Sequence, residues 1–496
     1  MKTLKADPGA KRLIESLRNM GYDSSTAIAD LVDNSITANA SEIYVDILLP
    51  KGSTPAAIII ADNGDGMDRE ELHEAMRFGS NQEYSAGDLG KYGLGLKTAS
   101  LGQCRTLTVA SKAKPKRGSR PRRVYMRWDL DHVYKTDGWD LLIPSDDELQ
   151  SWENEILNHL VAQDHGTIVL WTNLQETLPL LSDLDIRKQE KFLAHLIDEV
   201  SSHLRMVFHR FMQGTVTGRR KLDIHVCGEK LVPWDPFCRE EKTKELDIMR
   251  LPLVCEDTDG LKVKDTITIT PFILPREDEF SSTATWRDAS GPRNWNQQQG
   301  FYFYRNNRLL QAGGWSRLRA VDEHTKLLRI AVDFTSNLDR AFSINITKMR
   351  SRIPPEIREE IANHVGGWAK KARERYDNAP SRSSVSSNKS SHVSIPAHKN
   401  TEQTVHKPRE IRLGSVTISS NEKLGTIAVS ENRKGEIIIS IPRNHEFHEI
   451  FSIQNENDLR SAYVVMLLLI EAVAKKKVRV SNIPLELLKK IYRQNI

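Results

Sequence analysis

A short apolar segment that ends in an acidic, glycine-containing loop constrains the fold of this chain more than any other feature. Residues 56–60, Ala-Ala-Ile-Ile-Ile, have the composition of a buried strand, and Asp62 follows at its end. Glycines at 64 and 66 allow backbone conformations closed to other residues and let a ligand approach closely. The segment therefore predicts a strand that delivers a carboxylate to a turn, where it could accept a hydrogen bond from an exocyclic amine. A plain turn is the alternative.

The helix predicted before this strand carries polar side chains along one face. At about 100° per residue, Asp30, Asn34 and Thr37 share that face, and Asp33 lies beside them. Apolar side chains occupy another face: Ile28, Leu31, Val32 and Ile36. The pattern fits an ordinary amphipathic helix with its polar face in solvent, or a helix that presents carboxylates and an amide to a site.

Glycine recurs between residues 79 and 102, and this segment predicts a flexible loop that runs into a helix. Such a junction offers unpaired N–H groups and a positive dipole end to an anion, whereas a mobile surface loop is the alternative. A Walker loop is excluded because Leu96 separates Gly95 from Lys97. A dinucleotide fingerprint is excluded because Thr98 stands where its third glycine is needed.

A strongly basic connection lies between two predicted strands at residues 105–110 and 123–128. From Lys112 to Arg127, which includes the start of the second strand, the chain has no acidic residue and carries these cations: Lys112, Lys114, Lys116, Arg117, Arg120, Arg122, Arg123 and Arg127. The connection is either a solvated hairpin tip or a surface that contacts the phosphates of a nucleic acid. The candidate contacts are Lys116, Arg117, Arg120, Arg122 and Arg123.

Length and composition place the chain among soluble globular proteins of about two or three domains. Of its 496 residues, 39% are hydrophobic and 28% are charged. The sequence contains no run of about 18 apolar residues, so no membrane span is predicted. Its start lacks the apolar core of a signal peptide. The four cysteines form no Cys-x-x-Cys pair, which indicates reduced thiols, no zinc site and a cytoplasmic location. The net charge of +5 is too mild to establish a nucleic-acid partner.

Changes in composition divide the chain. A domain boundary is predicted near residues 214–220, and a charged helix is predicted over 355–378. Residues 379–409 are rich in serine, histidine, proline and lysine, which predicts a disordered linker. Strand signals return after it, together with an apolar helix at about 457–475, so residues 410–496 are predicted to form a small α+β module.

Three segments, in this order and spacing, resemble the GHKL ATPase superfamily of gyrase-type topoisomerases, heat-shock chaperones, histidine kinases and mismatch-repair ATPases. They are residues 30–35 (Asp-Leu-Val-Asp-Asn-Ser), Asp62-x-Gly64-x-Gly66 and Gly93-x-Gly95. The first is most similar to the microrchidia-like branch and its bacterial relatives. The likeness covers residues 10–110, with 165–172 as a fourth motif. It implies a Bergerat-type α/β sandwich, in which helices lie over a mixed sheet and ATP is held under a lid.

The resemblance assigns roles at the magnesium and adenine ends of this site. Asn34 would coordinate Mg²⁺. Asp62 would accept a hydrogen bond from the adenine amine, and the Thr167 hydroxyl would support that carboxylate. The loop after Asp62 would make room for the base and contact it through Gly64, Gly66 and Met67.

The same resemblance assigns the phosphate end. Residues 79–96 would form the lid, and Lys97 would add positive charge beside the phosphates. The nucleotide would be held by the lid's end and the start of the following helix through Gly93, Leu94, Gly95, Leu96 and Lys97.

The catalytic base would stand four residues before Asn34. The family usually has glutamate there, whereas this chain has Asp30, a carboxylate of similar basicity that is one methylene shorter. The attacking water would have to lie closer to the helix, so slow hydrolysis is expected. Asp33 is the alternative base, but it is rotated by about 60° from Asp30 toward the apolar face.

Residues 214–378 resemble the transducer domain of gyrase-like and microrchidia-like ATPases. The likeness is carried by residues 299–310 and 344–348. In those families a transducer lysine reaches the γ-phosphate, and by position it would be Lys348, acting with Asp30 in catalysis. A surface lysine at a strand end is the alternative.

The resemblance implies a magnesium-dependent ATPase that converts ATP to ADP and phosphate in a domain of residues 24–213. Lid closure would pair two copies into an ATP-dependent homodimer, and residues 1–23 would form an arm that reaches the partner. The dimer would act as a nucleotide-gated clamp or switch on DNA. The alternative is a chaperone-like remodeller or signalling scaffold whose module of residues 410–496 binds a protein partner. A soluble histidine kinase is less favoured because no helical phosphoacceptor domain precedes the ATPase domain.

Overall fold

The chain divides into two compact units, Met1–Ser384 and Val385–Ile496. The larger unit contains two sheets, each with its own buried core. The computed structural model describes residues 8–18, 21–50, 55–79, 95–116, 120–174, 186–256, 262–344, 352–378, 411–413, 416–421, 428–431 and 437–442. None of the helices in these ranges combines the length and the apolar character that a membrane span requires.

Helices and strands alternate in the first part of the larger unit. Its helices are α1 (Ala10–Arg18), α2 (Ser24–Thr37), α3 (Arg69–Met76), α4 (Gly95–Gln103), α5 (Leu130–Thr136), α6 (Ser151–Ala162), α7 (Ile186–Val207) and α8 (His209–Gln213). Its strands are β1 (Glu42–Leu48), β2 (Ala57–Asp62), β3 (Thr106–Lys112), β4 (Val124–Asp129), β5 (Gly166–Thr172), β6 (Asp223–Val226) and β7 (Glu229–Lys230). They pair in the order β4-β3-β5-β2-β1-β6-β7, and all pairs are antiparallel except β1 with β6. The predicted α/β architecture with a mixed sheet is confirmed.

Alternation along β2 explains how helices cover both faces of this sheet. Ile58 and Ile60 belong to the core that includes α2, α4 and α7, whereas Ala57 and Ile59 belong to a smaller core that includes α6. Successive side chains of a strand point to opposite faces, so a strand covered on both sides must be apolar throughout. The continuous apolar run is therefore a central strand, and Asp62 lies at its end.

Helix α2 is buried over most of its surface rather than on one face. Asp23 caps its N-terminus, because Oδ1 of that side chain accepts from the Thr26 backbone N–H at 2.7 Å. Asp30 and Asp33 are buried together with the apolar residues, and Asn34 is exposed. A polar face in solvent thus does not describe this helix, since both carboxylates lie inside the unit.

Helix α1 packs on its own chain. Ala10 and Ile14 are fully buried in the first core. Arg18 Nε donates to the carbonyl oxygen of Leu101 at 2.7 Å, which ties α1 to α4. Residues 10–18 therefore pack on this domain, and an arm of residues 1–23 that reaches a partner stays a prediction.

The second part of the larger unit forms a separate sheet. Its elements are β8 (Lys244–Glu245), β9 (Met249–Glu256), β10 (Lys262–Ile273), α9 (Thr283–Ala289), β11 (Gly300–Arg305), β12 (Arg308–Gln311), β13 (Leu328–Phe334) and α10 (Pro355–Asp377). The strand order is β12-β11-β13-β10-β8, and β9 also pairs with β10. All of β11 is buried, and α10 covers this core with its apolar face. The predicted division of the chain near residues 214–220 stays a prediction.

The smaller unit contains β14 (Ile411–Leu413), β15 (Val416–Asn421), β16 (Ala428–Glu431) and β17 (Ile437–Pro442). These strands pair in the order β14-β15-β17-β16, with β15 and β17 parallel. The predicted helix at 457–475 and the predicted linker at 379–409 lie outside the described residues.

Candidate active site

The Asp62 carboxylate lies at the end of β2 among buried hydrogen-bond donors. The Ser35 hydroxyl of α2 donates to Oδ2 at 2.7 Å, and the Gly64 backbone N–H donates to Oδ1 at 2.9 Å. Thr167 pairs with Asp62 across β2 and β5, and its backbone also hydrogen-bonds to the carboxylate. Burial raises the pKa of Asp62, and these hydrogen bonds oppose that rise. The carboxylate is thus held in one orientation from both strands and from α2.

The Thr167 hydroxyl contacts Ser111 rather than Asp62. Ser111 Oγ lies 2.8 Å from Thr167 Oγ1, and it accepts from the Met67 backbone N–H at 2.8 Å. The predicted support of Asp62 by the Thr167 hydroxyl is therefore wrong. The register of β2 and β5 offers Asp62 the backbone of Thr167, and the hydroxyl that reaches the carboxylate comes from Ser35 on α2.

Neighbouring backbone explains the two glycines of the loop after Asp62. A Cβ at Gly64 would stand 2.9 Å from the carbonyl oxygen of Ala38. Gly66 has φ +63°, and a Cβ there would lie 2.0 Å from the carbonyl oxygen of Lys112. The sequence predicted that these glycines make room for the base. The close approach of the end of α2 and of β3 is already enough to explain both glycines, because it leaves no space for a side chain.

Asn34, the predicted magnesium ligand, is exposed on α2. Its side-chain amide forms no hydrogen bond within the described residues, so its oxygen is available to a cation. In the same ranges no cluster of three or more His, Cys, Asp or Glu side chains is arranged for a metal. Mg²⁺ usually keeps several waters and takes few protein ligands besides substrate phosphates, and one free amide oxygen fits that mode.

The N-terminus of α4 adjoins the Asp30 carboxylate. A Cβ built on Gly95, the first residue of α4, would lie 3.9 Å from Asp30 Oδ2. The unpaired N–H groups of a helix start attract anions, so a phosphate held there would be next to Asp30. Gly93 and Leu94, together with most of the predicted lid, lie outside the described residues.

Lys97 contacts α3 from its position in α4. Its side chain is buried, and Nζ donates to the carbonyl oxygen of Ala75 in the last turn of α3 at 2.8 Å. Burial lowers the pKa of Lys97 to about 8, and Glu74 opposes that shift. The contribution of Lys97 to the phosphate charge stays a prediction. Leu96 packs against the first core.

Asp30 and Asp33 are paired with an arginine of the second sheet. Arg308 Nε donates to Asp33 Oδ1 at 2.8 Å, and its Nη2 donates to Asp30 Oδ1 at 3.3 Å. The side chain of Arg308 is 3% exposed, and the carboxylates are 3% and 1% exposed. The Tyr22 hydroxyl donates to Asp30 Oδ2 at 2.9 Å, and burial and this carboxylate raise the pKa of Tyr22. Both oxygens of the predicted base are thus engaged.

A two-residue turn places Arg308 at the start of β12. Asn306 and Asn307 have φ 47° and 68°, and Arg305 pairs with Arg308 across the turn. Asparagine tolerates this left-handed region, and such turns match the twist of a hairpin. Arg305 is itself held by a buried ion pair with Asp339 at 2.7 Å. The hairpin is therefore fixed, and Arg308 projects to α2 from a rigid element.

The basic connection between β3 and β4 is partly neutralised by other segments. Arg123 forms an ion pair with Asp146 at 3.1 Å, so this predicted nucleic-acid contact is engaged within the chain. Arg127 pairs with Glu153 at 2.6 Å. Arg117 and Lys348 lie outside the described residues. The predicted contacts that are exposed are Lys116, Arg120 and Arg122.

The described residues thus place a fixed carboxylate at a strand end and a second carboxylate beside a helix start in an α/β domain. Residues 22–167 match the family described as "Histidine kinase-, DNA gyrase B-, and HSP90-like ATPase". The chain therefore carries a GHKL ATPase domain, and the resemblance in its motifs is confirmed over this range.

The curated relatives of this chain are microrchidia proteins. Protein MICRORCHIDIA 7 of Arabidopsis thaliana is 26% identical over 171 residues, which are 33% of this chain and 24% of that protein. Protein MICRORCHIDIA 5 of the same plant is 28% identical over 178 residues, with the same two shares. ATPase morc-1 of Caenorhabditis elegans is 36% identical over 87 residues, which are 18% of this chain and 10% of that protein. The chain thus spans about a quarter or less of the length of these relatives.

One solved structure, described as "Crystal Structure of N terminal domain of a DNA repair protein", aligns with 74% of this chain and 98% of its own. Its sequence identity is 15% and its TM-score is 0.40, a likeness too loose to bear on function.

Sequence reasoning missed Tyr22, Ser35, Ser111 and Arg308. Ser35 left a signal, because it lies seven residues after Ile28 on the apolar face of α2, where a hydroxyl needs a buried partner. Arg308 left none, since its carboxylate partner Asp30 is 278 residues away in the chain.

Proposed function

We propose that the chain is a Mg²⁺-dependent ATPase whose two copies pair when ATP is bound. One observation carries this proposal: the Asp30 carboxylate stands beside the anion-attracting start of α4, on the helix that also presents the free Asn34 amide. Asp62 lies on the neighbouring strand end with its orientation fixed by Ser35 and Gly64. The site therefore offers separate groups for a base, for a metal-bound phosphate and for the nucleotide's amine.

Each group has a distinct task in this proposal. Asp62 accepts a hydrogen bond from the adenine amine, and the N–H groups at the start of α4 hold phosphate oxygens. Asn34 supplies the protein's oxygen to Mg²⁺, which neutralises phosphate charge when bound. Asp30 orients the attacking water and takes its proton. Because both Asp30 oxygens already accept hydrogen bonds from Arg308 and Tyr22, we expect slow turnover.

Pairing of two copies is tested by the mass of the full chain in solution. A non-hydrolysable ATP analogue with Mg²⁺ is expected to double the mass in multi-angle light scattering. In the matched variant Asp62→Asn, the amide N–H₂ group can face the adenine amine and donor would meet donor. This variant is therefore expected to bind the analogue poorly and to keep the mass of the nucleotide-free protein. An unchanged wild-type mass would exclude nucleotide-driven pairing, and calorimetry with the same analogue would show whether ATP binding survives.

We further propose that the paired protein acts on DNA as a nucleotide-gated clamp. The support is the exposed part of the basic connection, where Arg120 and Arg122 form no ion pair within the described residues. Cations of this kind bind phosphates without reading sequence, and their contribution falls steeply with salt.

Charge reversal separates a DNA clamp from a protein scaffold. Arg120→Glu/Arg122→Glu is expected to lose most of the salt-dependent retention on a duplex DNA column, because two phosphate contacts become repulsive. Lys370→Glu/Lys371→Glu reverses two exposed cations of α10 and serves as the control with equal charge change. If both variants are retained equally, the basic connection is not the surface that binds DNA. If the wild-type protein is not retained at all, the result favours the protein scaffold.

A further inference from the structure

A cavity of about 830 Å³ lies apart from the residues assigned to ATP, between the first core and the second sheet. Its walls are the N-terminus of α2, the end of α7, the segment before β11, β12 with the loop that follows it, and the start of α10 with the residues just before it. This volume falls within the range of about 300–1,000 Å³ that is usual for small-molecule sites. The two halves of the larger unit therefore border a half-open cavity of ligand size.

Arginine dominates the charged lining of this cavity. Four guanidinium groups come from three separate segments: Arg293, Arg317, Arg352 and Arg358. None of them forms an ion pair within the described residues. Asp23 is the carboxylate of the lining, and its oxygen already caps α2. Arg308 also lines the cavity, but its charge is balanced by Asp30 and Asp33.

His203 completes the titratable lining without adding charge. Burial, with a smaller contribution from Arg308, lowers the pKa of His203 to about 4, so the imidazole is neutral near pH 7. A neutral imidazole can donate or accept a hydrogen bond. The excess positive charge of the cavity is therefore carried by the four arginines.

Backbone contacts hold part of this arginine set in place. Arg358 Nη2 donates to the carbonyl oxygen of Ser316 at 3.0 Å, and Arg293 Nη1 donates to that of Ala312 at 3.4 Å. Ser316 and Arg317 both adopt left-handed backbone, with φ 46° and 63°. Such conformations are costly for residues with a Cβ and persist where surrounding structure or function requires them.

We propose that this cavity binds a small polyphosphorylated molecule. One guanidinium group can donate two parallel hydrogen bonds to two phosphate oxygens. Several arginines without an ion pair among the described residues, placed around one cavity, therefore favour a ligand with several negative charges. A monocarboxylate would leave most of that charge uncompensated. An open surface such as the basic connection would favour a DNA duplex, whereas this cavity is a half-open space with the volume of a small ligand.

Titration with inorganic pyrophosphate tests this site. The full chain is first saturated with a non-hydrolysable ATP analogue, so that the start of α4 is occupied, and pyrophosphate is then added in a calorimeter. One saturable equivalent is expected for the wild type. Arg317→Glu/Arg352→Glu reverses two exposed members of the lining and is expected to weaken binding by at least about tenfold. Arg317→Gln/Arg352→Gln should lose less of the pyrophosphate affinity. This milder variant still tests the site if the charge-reversal variant fails to fold.

The control variant Lys370→Glu/Lys371→Glu has the same charge change as Arg317→Glu/Arg352→Glu, but at exposed residues outside the cavity. It should bind pyrophosphate as tightly as the wild type does. Equal affinity in the lining variants and the wild type would overturn the proposal. A single-stranded oligonucleotide that binds more tightly than pyrophosphate, and is lost in the lining variants, would overturn it in favour of a nucleic-acid backbone. If the ATP analogue does not bind, the proposed function fails separately, and the nucleotide-free titration still decides on the cavity.

Discussion

Asp30→Asn is expected to bind ATP with nearly the wild-type affinity and to hydrolyse it at least about 100-fold more slowly. The amide keeps the shape of the carboxylate, and its oxygen can still accept from Arg308. The Tyr22 hydroxyl can turn to accept from the new N–H₂ group. What is lost is the ability to take a proton from water. ATP affinity by calorimetry and phosphate release over time measure the two effects separately.

The matched control for this change is Asp147→Asn, at an exposed aspartate outside the site. It should leave both affinity and turnover unchanged. Wild-type turnover by Asp30→Asn would refute Asp30 as the base. If Asp33→Asn then stopped turnover, the base would be Asp33, which is fully buried and lies nearer the apolar face of α2.

Arg308→Met is expected to lower the free energy of unfolding by about 3–5 kcal/mol, because it leaves two buried carboxylates without their shared cation. The donor distances of 2.8 and 3.3 Å show that one guanidinium serves both Asp33 and Asp30. Restoring the balance should rescue stability, so Arg308→Met/Asp33→Asn should be more stable than Arg308→Met alone. Urea titration followed by tryptophan fluorescence gives the comparison.

An exposed ion pair provides the control for this prediction. Lys230 Nζ lies 2.6 Å from Asp223 Oδ2, and the side chains are 54% and 31% exposed. Lys230→Met should cost only about 0–1 kcal/mol, because solvent screens such pairs. A similar small loss in Arg308→Met would mean that the buried charges find other partners, and the pairing would then not connect the two sheets energetically.

Local pattern predicted the framework of the proposed ATP site. The apolar run before Asp62 is a central strand, and Asp30 and Asn34 lie on the preceding helix as spacing required. Such features are predictable because strand and helix periodicities depend on neighbouring residues. The sequence could not reveal which hydroxyl reaches Asp62, since Ser35 and Thr167 compete for it only after α2 and β5 are placed.

Long-range pairing escaped sequence reasoning for the same reason. The Arg-Asn-Asn-Arg segment was associated with a transducer likeness, but nothing in it shows that Arg308 reaches back to α2. Similarly, the absence of acids in the basic connection suggested a free cationic surface. Asp146 and Glu153 neutralise part of it from other segments. Predictions of charge from a single stretch therefore overestimate what the fold leaves exposed.

Arg308 contributes to both proposed sites, since its side chain lines the cavity and its guanidinium group donates to Asp30. A ligand that draws this arginine toward the cavity would alter the surroundings of Asp30, and a nucleotide that moves α2 would alter the cavity. Thermodynamic linkage makes such effects reciprocal for binding. The factor by which a cavity ligand changes ATP affinity must equal the factor by which ATP changes the affinity for that ligand. One coupling free energy, obtainable from either titration, would then describe both sites.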